Sequence, residues 1–106
     1  MHEEMSSIPE KYWQPRVVRH TAPNGTELFG IHEIYFKNHG EDVEGVTQDS
    51  LSNKFESVEL LAKNLRNFIN SGEEYIQCGD RNYKYYLQDV ERWLEYIDAS
   101  IIDYFE

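Results

Sequence analysis

A single cysteine, Cys78, leaves this chain unable to close an internal disulfide or to build a cysteine-based zinc site. A reducing, cytoplasmic setting is the expectation, because the acidic His2-Glu3-Glu4 after Met1 is unlike the basic start of a secretory signal. No uninterrupted apolar run exceeds three residues, whereas about 20 are needed to cross a bilayer, so no membrane span is expected. The six glycines are scattered, and no Gly-rich phosphate loop or G-x-S-x-G elbow occurs. Positive charge is also scarce: 10 Lys and Arg stand against 20 Asp and Glu, a formal net charge of −10. Affinity for a polyanion is built from Lys and Arg contacts that release counterions, so direct nucleic-acid binding is disfavoured and attraction runs toward basic protein surfaces.

What the chain has is aromatic side chains, eight Tyr, two Trp and five Phe in 106 residues. That content, with 40% hydrophobic residues, argues for a folded chain with one core. Residues 1–11 read as a flexible leader and 12–106 as a single α+β domain. Trp13 to Thr21 is β-branched and aromatic, with Pro15 placing it at a sheet edge. Pro23-Asn24-Gly25 supplies the backbone of a tight hairpin turn. Leu28 to Lys37 is the second strand, and Asn38 to Asp42 turns into a third at Val43 to Gln48. The fold class is therefore α+β: a three-stranded antiparallel meander followed by two α-helices packed on one face. Pairing about the first turn sets Val17 near Ile31, Trp13 near Tyr35 and Arg16 near His32.

Ser57 is placed to cap a first helix in which Val58, Leu61, Ala62, Leu65, Phe68 and Ile69 follow helical spacing, and Asn70-Ser71-Gly72 ends it. Tyr75 and Ile76 are too brief to assign, and whether 75–78 joins the sheet stays open. Asp80 then reads as the cap of a second helix, with Tyr83, Tyr86, Leu87, Val90, Trp93, Leu94 and Ile97 as its stripe. Acidic residues gather toward its end: Asp89, Glu91, Glu95, Asp98, Asp103 and Glu106 against the one base Arg92.

Candidate chemistry is sparse. His32 and Glu33 are adjacent strand residues that point to opposite faces, so they cannot share a metal ion even with His20 nearby, and no metal or other cofactor is expected. Cys78 has no histidine neighbour in sequence, and Glu73-Glu74 and Glu41-Asp42 lie in turns where charge serves solvation, so an enzyme is not expected. Tyr and Trp favour positions where an apolar body meets a wet rim, and Tyr85 and Tyr96 fall off the main stripe of the second helix.

The order strand, strand, strand, helix, with Gly45-Val46-Thr47-Gln48 and then Ser57-Val58-Glu59-Leu60-Leu61, resembles the opening half of HicB-type antitoxins over residues 13 to 70. The resemblance implies element order and no site residue, since no DNA-binding segment like that family's follows. Arg16-Val17-Val18-Arg19-His20 with Phe29-Gly30-Ile31-His32-Glu33-Ile34-Tyr35-Phe36 is similar to a group of small uncharacterised bacterial proteins, which implies no activity. The functional expectation is a non-catalytic acidic interaction module using Tyr85, Asp89, Glu91, Glu95, Tyr96 and Asp98. Its sharper form is an inhibitor of a basic nucleic-acid-binding protein, of the counter-defence type, with carboxylates standing in for phosphates. The rival is a homo-oligomeric, antitoxin-like regulatory module that binds a small molecule or protein and uses Tyr85 or Tyr96 in a homodimer seam.

Overall fold

The computed structural model describes residues 8–105. The expected leader falls, over 1–7, outside the described residues, as does Glu106. Within residues 8–11, the Glu10 carbonyl accepts the His39 backbone N–H at 3.1 Å and the Ile8 carbonyl accepts from His39 Nδ1 at 2.8 Å.

Two long strands form the centre, β1 (Tyr12–Thr21) and β2 (Glu27–Lys37). Their turn is built as its residues dictate: Gly25 takes φ +89°, and Asn24 Oδ1 accepts the Thr26 N–H at 3.0 Å. The antiparallel register pairs Val17 with Ile31, Trp13 with Tyr35 and Arg16 with His32, as expected. A short β3 (Asp42–Val46) pairs with β2, with an irregularity between Tyr35 and Phe36.

The sheet is not a three-stranded meander. A strand from the C-terminal end, β6 (Ile102–Phe105), pairs in parallel with β1, and the four strands run in the order β3-β2-β1-β6. Strand β1 is consequently internal where an edge was expected. Pro15 is still tolerated there, because β6 reaches only Val18 to Thr21 and leaves the Pro15 stretch with β2 alone.

Helix α1 (Val58–Ile69) starts where Ser57 Oγ accepts the Leu60 N–H at 3.1 Å, and buries Leu61, Ala62 and Leu65. The second helix is shorter than its stripe suggests. Residues 75–78 do form a strand, β4 (Tyr75–Cys78), and Tyr83–Tyr86 is its hairpin partner β5, so α2 runs only over Leu87–Glu95. Asp80 does not cap it. Its carboxylate instead accepts the Ser50 N–H at 3.0 Å and faces Lys54 Nζ at 3.5 Å, while Asp89 Oδ2 takes the Tyr86 N–H at the true start of α2. The hairpin turn is bolted to the connector after β3: Asp80 N–H donates to the Ser50 carbonyl, and Gly79 N–H to Asn53 Oδ1 at 3.0 Å. Gly79 sits at φ +86°, and a Cβ there would collide with the carbonyls of Ser50 and Leu51, so only glycine fits.

Both helices and the β4–β5 hairpin cover one face of the sheet, as expected of two helices on one face. Val17 and Ile31 meet Leu61, Leu65, Ile76, Cys78, Val90 and Trp93 in the larger core cluster. Burying each large aliphatic side chain there contributes about 2 kcal/mol. Val18, Ile34 and Phe36 on the opposite face form a second cluster, flanked by Tyr12, Val46 and Ile102.

Candidate functional site

Helix α2 carries the surface that the sequence singles out, and its 100° step sorts the nominated residues onto different sides. Val90, Trp93 and Ile97 face the core. Glu91 and Glu95, one turn apart, lie on one flank of α2, and Asp98 follows in the turn beyond the end of the helix; all three are exposed, and none joins an ion pair among the described residues. Asp98 adjoins a shallow groove against α1 that also contains Glu59, Lys63 and Arg66. Asp103 belongs to β6 and pairs with Arg19 at 2.8 Å, so it is neutralised locally.

Asp89, Arg92 and Tyr96 occupy the other flank, which faces β1. There the Arg92 guanidinium lies 5.4 Å from the centre of the Trp13 ring, and Trp13 is 44% exposed. This contact separates two shallow clefts. One, of about 340 Å³, is lined by Pro9, Tyr12, Trp13, Gln14, Arg92 and Tyr96, among others. The other, of about 300 Å³, is lined by Trp13, Tyr85 and Trp93 and by two acidic residues, Glu33 and Asp89, set against two basic ones, Lys84 and Arg92, among others. Tyr85 is not a free surface ring. As a strand residue it turns inward and meets Trp93 edge-on at 4.9 Å. Burial, and after it nearby negative or ionisable groups including Glu33 and Asp89, raises its phenol pKa.

The six nominated residues thus fall into three settings: an open carboxylate flank, a cleft flank with Asp89 and Tyr96, and a half-buried ring. Glu33, Trp13 and Arg92 were not nominated although they shape the cleft. The strand register does place Trp13, Glu33 and Tyr35 on one sheet face, because Trp13 pairs with Tyr35 and Pro15 with Glu33.

The two histidines make a structural contact. Both are buried, His32 donates from Nδ1 to the Thr47 carbonyl at 2.8 Å, and its Nε2 lies 2.8 Å from His20 Nε2. A carbonyl only accepts, so neutral His32 carries its proton on Nδ1 and receives the His20 Nε2–H. Burial chiefly, opposed by the Thr47 bond and aided by His20, lowers the His32 pKa. Cys78 is buried and its thiol is pushed up to about 11, mainly by burial, which leaves it a poor nucleophile at neutral pH. Among the described residues no group of three or more His, Cys, Asp and Glu could hold a metal ion, and no helix is long and apolar enough to cross a membrane. The chain matches no protein-family model, no curated protein and no solved structure.

Proposed function

We infer that this chain acts by binding: it is a non-catalytic acidic interaction module that docks on the basic surface of a partner protein. The observation that carries the reading is the run of exposed carboxylates Glu91 and Glu95 on one flank of α2 and Asp98 in the turn that follows it, in a chain of net charge −10. A cationic channel that normally holds nucleic acid is the kind of surface such a row complements, which makes the sharper reading an antagonist of a nucleic-acid-binding protein. The test is a pull-down from lysate of the source cell at low and high salt, with the wild-type chain and with Glu91→Lys/Glu95→Lys/Asp98→Lys. The reading expects a basic protein captured at low salt and lost both at high salt and in the triple variant. Capture that survives both changes overturns it.

Self-association has one supporting observation. The outer face of the β4–β5 hairpin leaves Tyr75 and Tyr86 exposed on either side of Lys84, whose ammonium lies 4.1 Å from the Tyr75 ring centre. A dimer seam would fall there and not on Tyr85, which is packed inward. Sedimentation over a range of concentrations distinguishes it: a strict monomer removes this second reading.

A further inference from the structure

We propose that β6 is an acid-released strand: when His20 and His32 both take up protons, their parting displaces Tyr104 and frees Ile102–Phe105 from β1 while the helix-covered core stays closed. The two imidazoles meet Nε2 to Nε2 at 2.8 Å, both buried, and the Tyr104 ring rests on His20 with centroids 5.4 Å apart. In the neutral pair His20 donates and His32 accepts, with the His32 Nδ1–H given to the Thr47 carbonyl. An imidazolium donates from both nitrogens, so protonation of His32 leaves the Thr47 bond intact and turns its Nε2 into a second donor. His20 meets that first proton by shifting its own to Nδ1. A second proton leaves no such arrangement, because two N–H groups and two like charges then face each other across a distance that only a donor and an acceptor tolerate.

The described residues around the pair add charge of both signs. On β1, Arg16 pairs across to His32, and its guanidinium donates to the Ser100 carbonyl at 2.6 Å. Burial is the first influence holding His32 neutral; Lys54, in the connector after β3, also repels a charge there, while Asp80, in the β4–β5 turn, attracts one. After β3 the contact is the Thr47 carbonyl, which does not titrate. On β6 the group over His20 is the Tyr104 phenol, whereas Asp103 points to the opposite face and pairs with Arg19. The part that yields is the least anchored one. Strands β1 and β2 share ten paired positions, whereas β6 has four, a single neighbouring strand, and exposed side chains at Tyr104 and Phe105. Its release bares the Val18 to Thr21 edge of β1, which no other described strand covers.

Amide hydrogen exchange on the full chain at about pH 7.5 and about pH 5.0, corrected for the intrinsic rate at each pH, measures the release. The proposal expects residues 102–105 to be protected at the higher pH and to exchange within about tenfold of the unprotected rate at the lower, while Leu61 and Leu65 of α1 stay protected more than about a thousandfold. His32→Gln and His20→Gln each leave one titrating ring, so no second charge arises in the pair, and either variant keeps β6 protected in acid. Unchanged protection of β6 in the wild-type chain, loss of α1 protection together with it, or the same loss in a folded variant overturns the proposal. A further reading needs no variant: the imidazole proton signals of wild type, followed by NMR, should shift over the same pH interval as the loss of β6 protection. A loss complete before those signals move assigns the release to another group and overturns the proposal as well.

Discussion

On one face of the four-stranded sheet Val17 and Ile31 meet Leu61, Leu65, Val90 and Trp93 from the helices, while on the other Val18, Ile34 and Phe36 lie beside His20, His32 and the Arg16 guanidinium. The helix-covered face is held by aliphatic burial, which is indifferent to proton concentration. The opposite face mixes apolar side chains with a buried contact between two histidines and a cation over a ring, and its stability depends on the protonation of His32. Closing one sheet by two chemistries divides stability into a constant part and a pH-dependent part.

The largest effect belongs to the aliphatic face. Leu65→Ala, at a position with no solvent exposure, should cost about 3 kcal/mol, equally at pH 7.5 and pH 5.5, in urea unfolding curves. A cost that changes strongly between those two pH values would break the comparison. Next is the clamp that holds the β4–β5 hairpin over this core: Gly79→Ala, facing both a left-handed backbone and two carbonyls, should cost about 2 kcal/mol, and a neutral result would contradict the close approach.

The opposite face answers to acid. The folded pKa of His32 is below its ordinary 6.5, so the unfolded chain takes up more protons in that interval. Its contribution is held in full above about pH 6.5, is lost as pH falls from there through the lowered pKa, and changes no further below it. Melting temperatures measured from pH 8 to 5 should show that decline, and His32→Gln should flatten the part that begins near pH 6.5. An unchanged slope in the variant would assign the acid sensitivity elsewhere. Smallest is the ion pair joining β6 to β1: Asp103→Asn should shift stability by under about 0.5 kcal/mol, since Arg19 and Asp103 are both substantially exposed.

The first hairpin was legible because its determinants are local. Pro23-Asn24-Gly25 fixes the turn, and alternation on either side fixes which residues meet. Helix α1 was equally readable from Ser57 through Gly72, its cap, stripe and stop all lying within one segment. The second half misled for a specific reason: Tyr83, Tyr86, Leu87 and Val90 are spaced three, one and three apart, so a strand of tyrosines imitates one more helical turn. The distinguishing signal was the loop before it, where Gly79 and Asn82 both take positive φ, +86° and +55°, and close a hairpin. Strand β6 leaves no local trace of its destination, since Ile102 meets Val18 only through tertiary pairing.

The site divides in the same way. Grouping Glu91 with Glu95 needs only helical spacing, which α2 displays, whereas Asp98 lies in the turn beyond its end. Placing Tyr85 needs to know whether Tyr83–Tyr86 is strand or helix, and setting Glu33 and Trp13 against Arg92 needs the packing of α2 on β1. The open flank could therefore be named from sequence, and the cleft could not.

The most direct test of the binding account is site-specific photo-crosslinking in the source cell, with a photoreactive residue at Glu95 and, as a control, at Leu60, an exposed position on α1. The account predicts an adduct to a basic protein from position 95 and none from position 60. An adduct from both positions alike, or none from position 95, would contradict it.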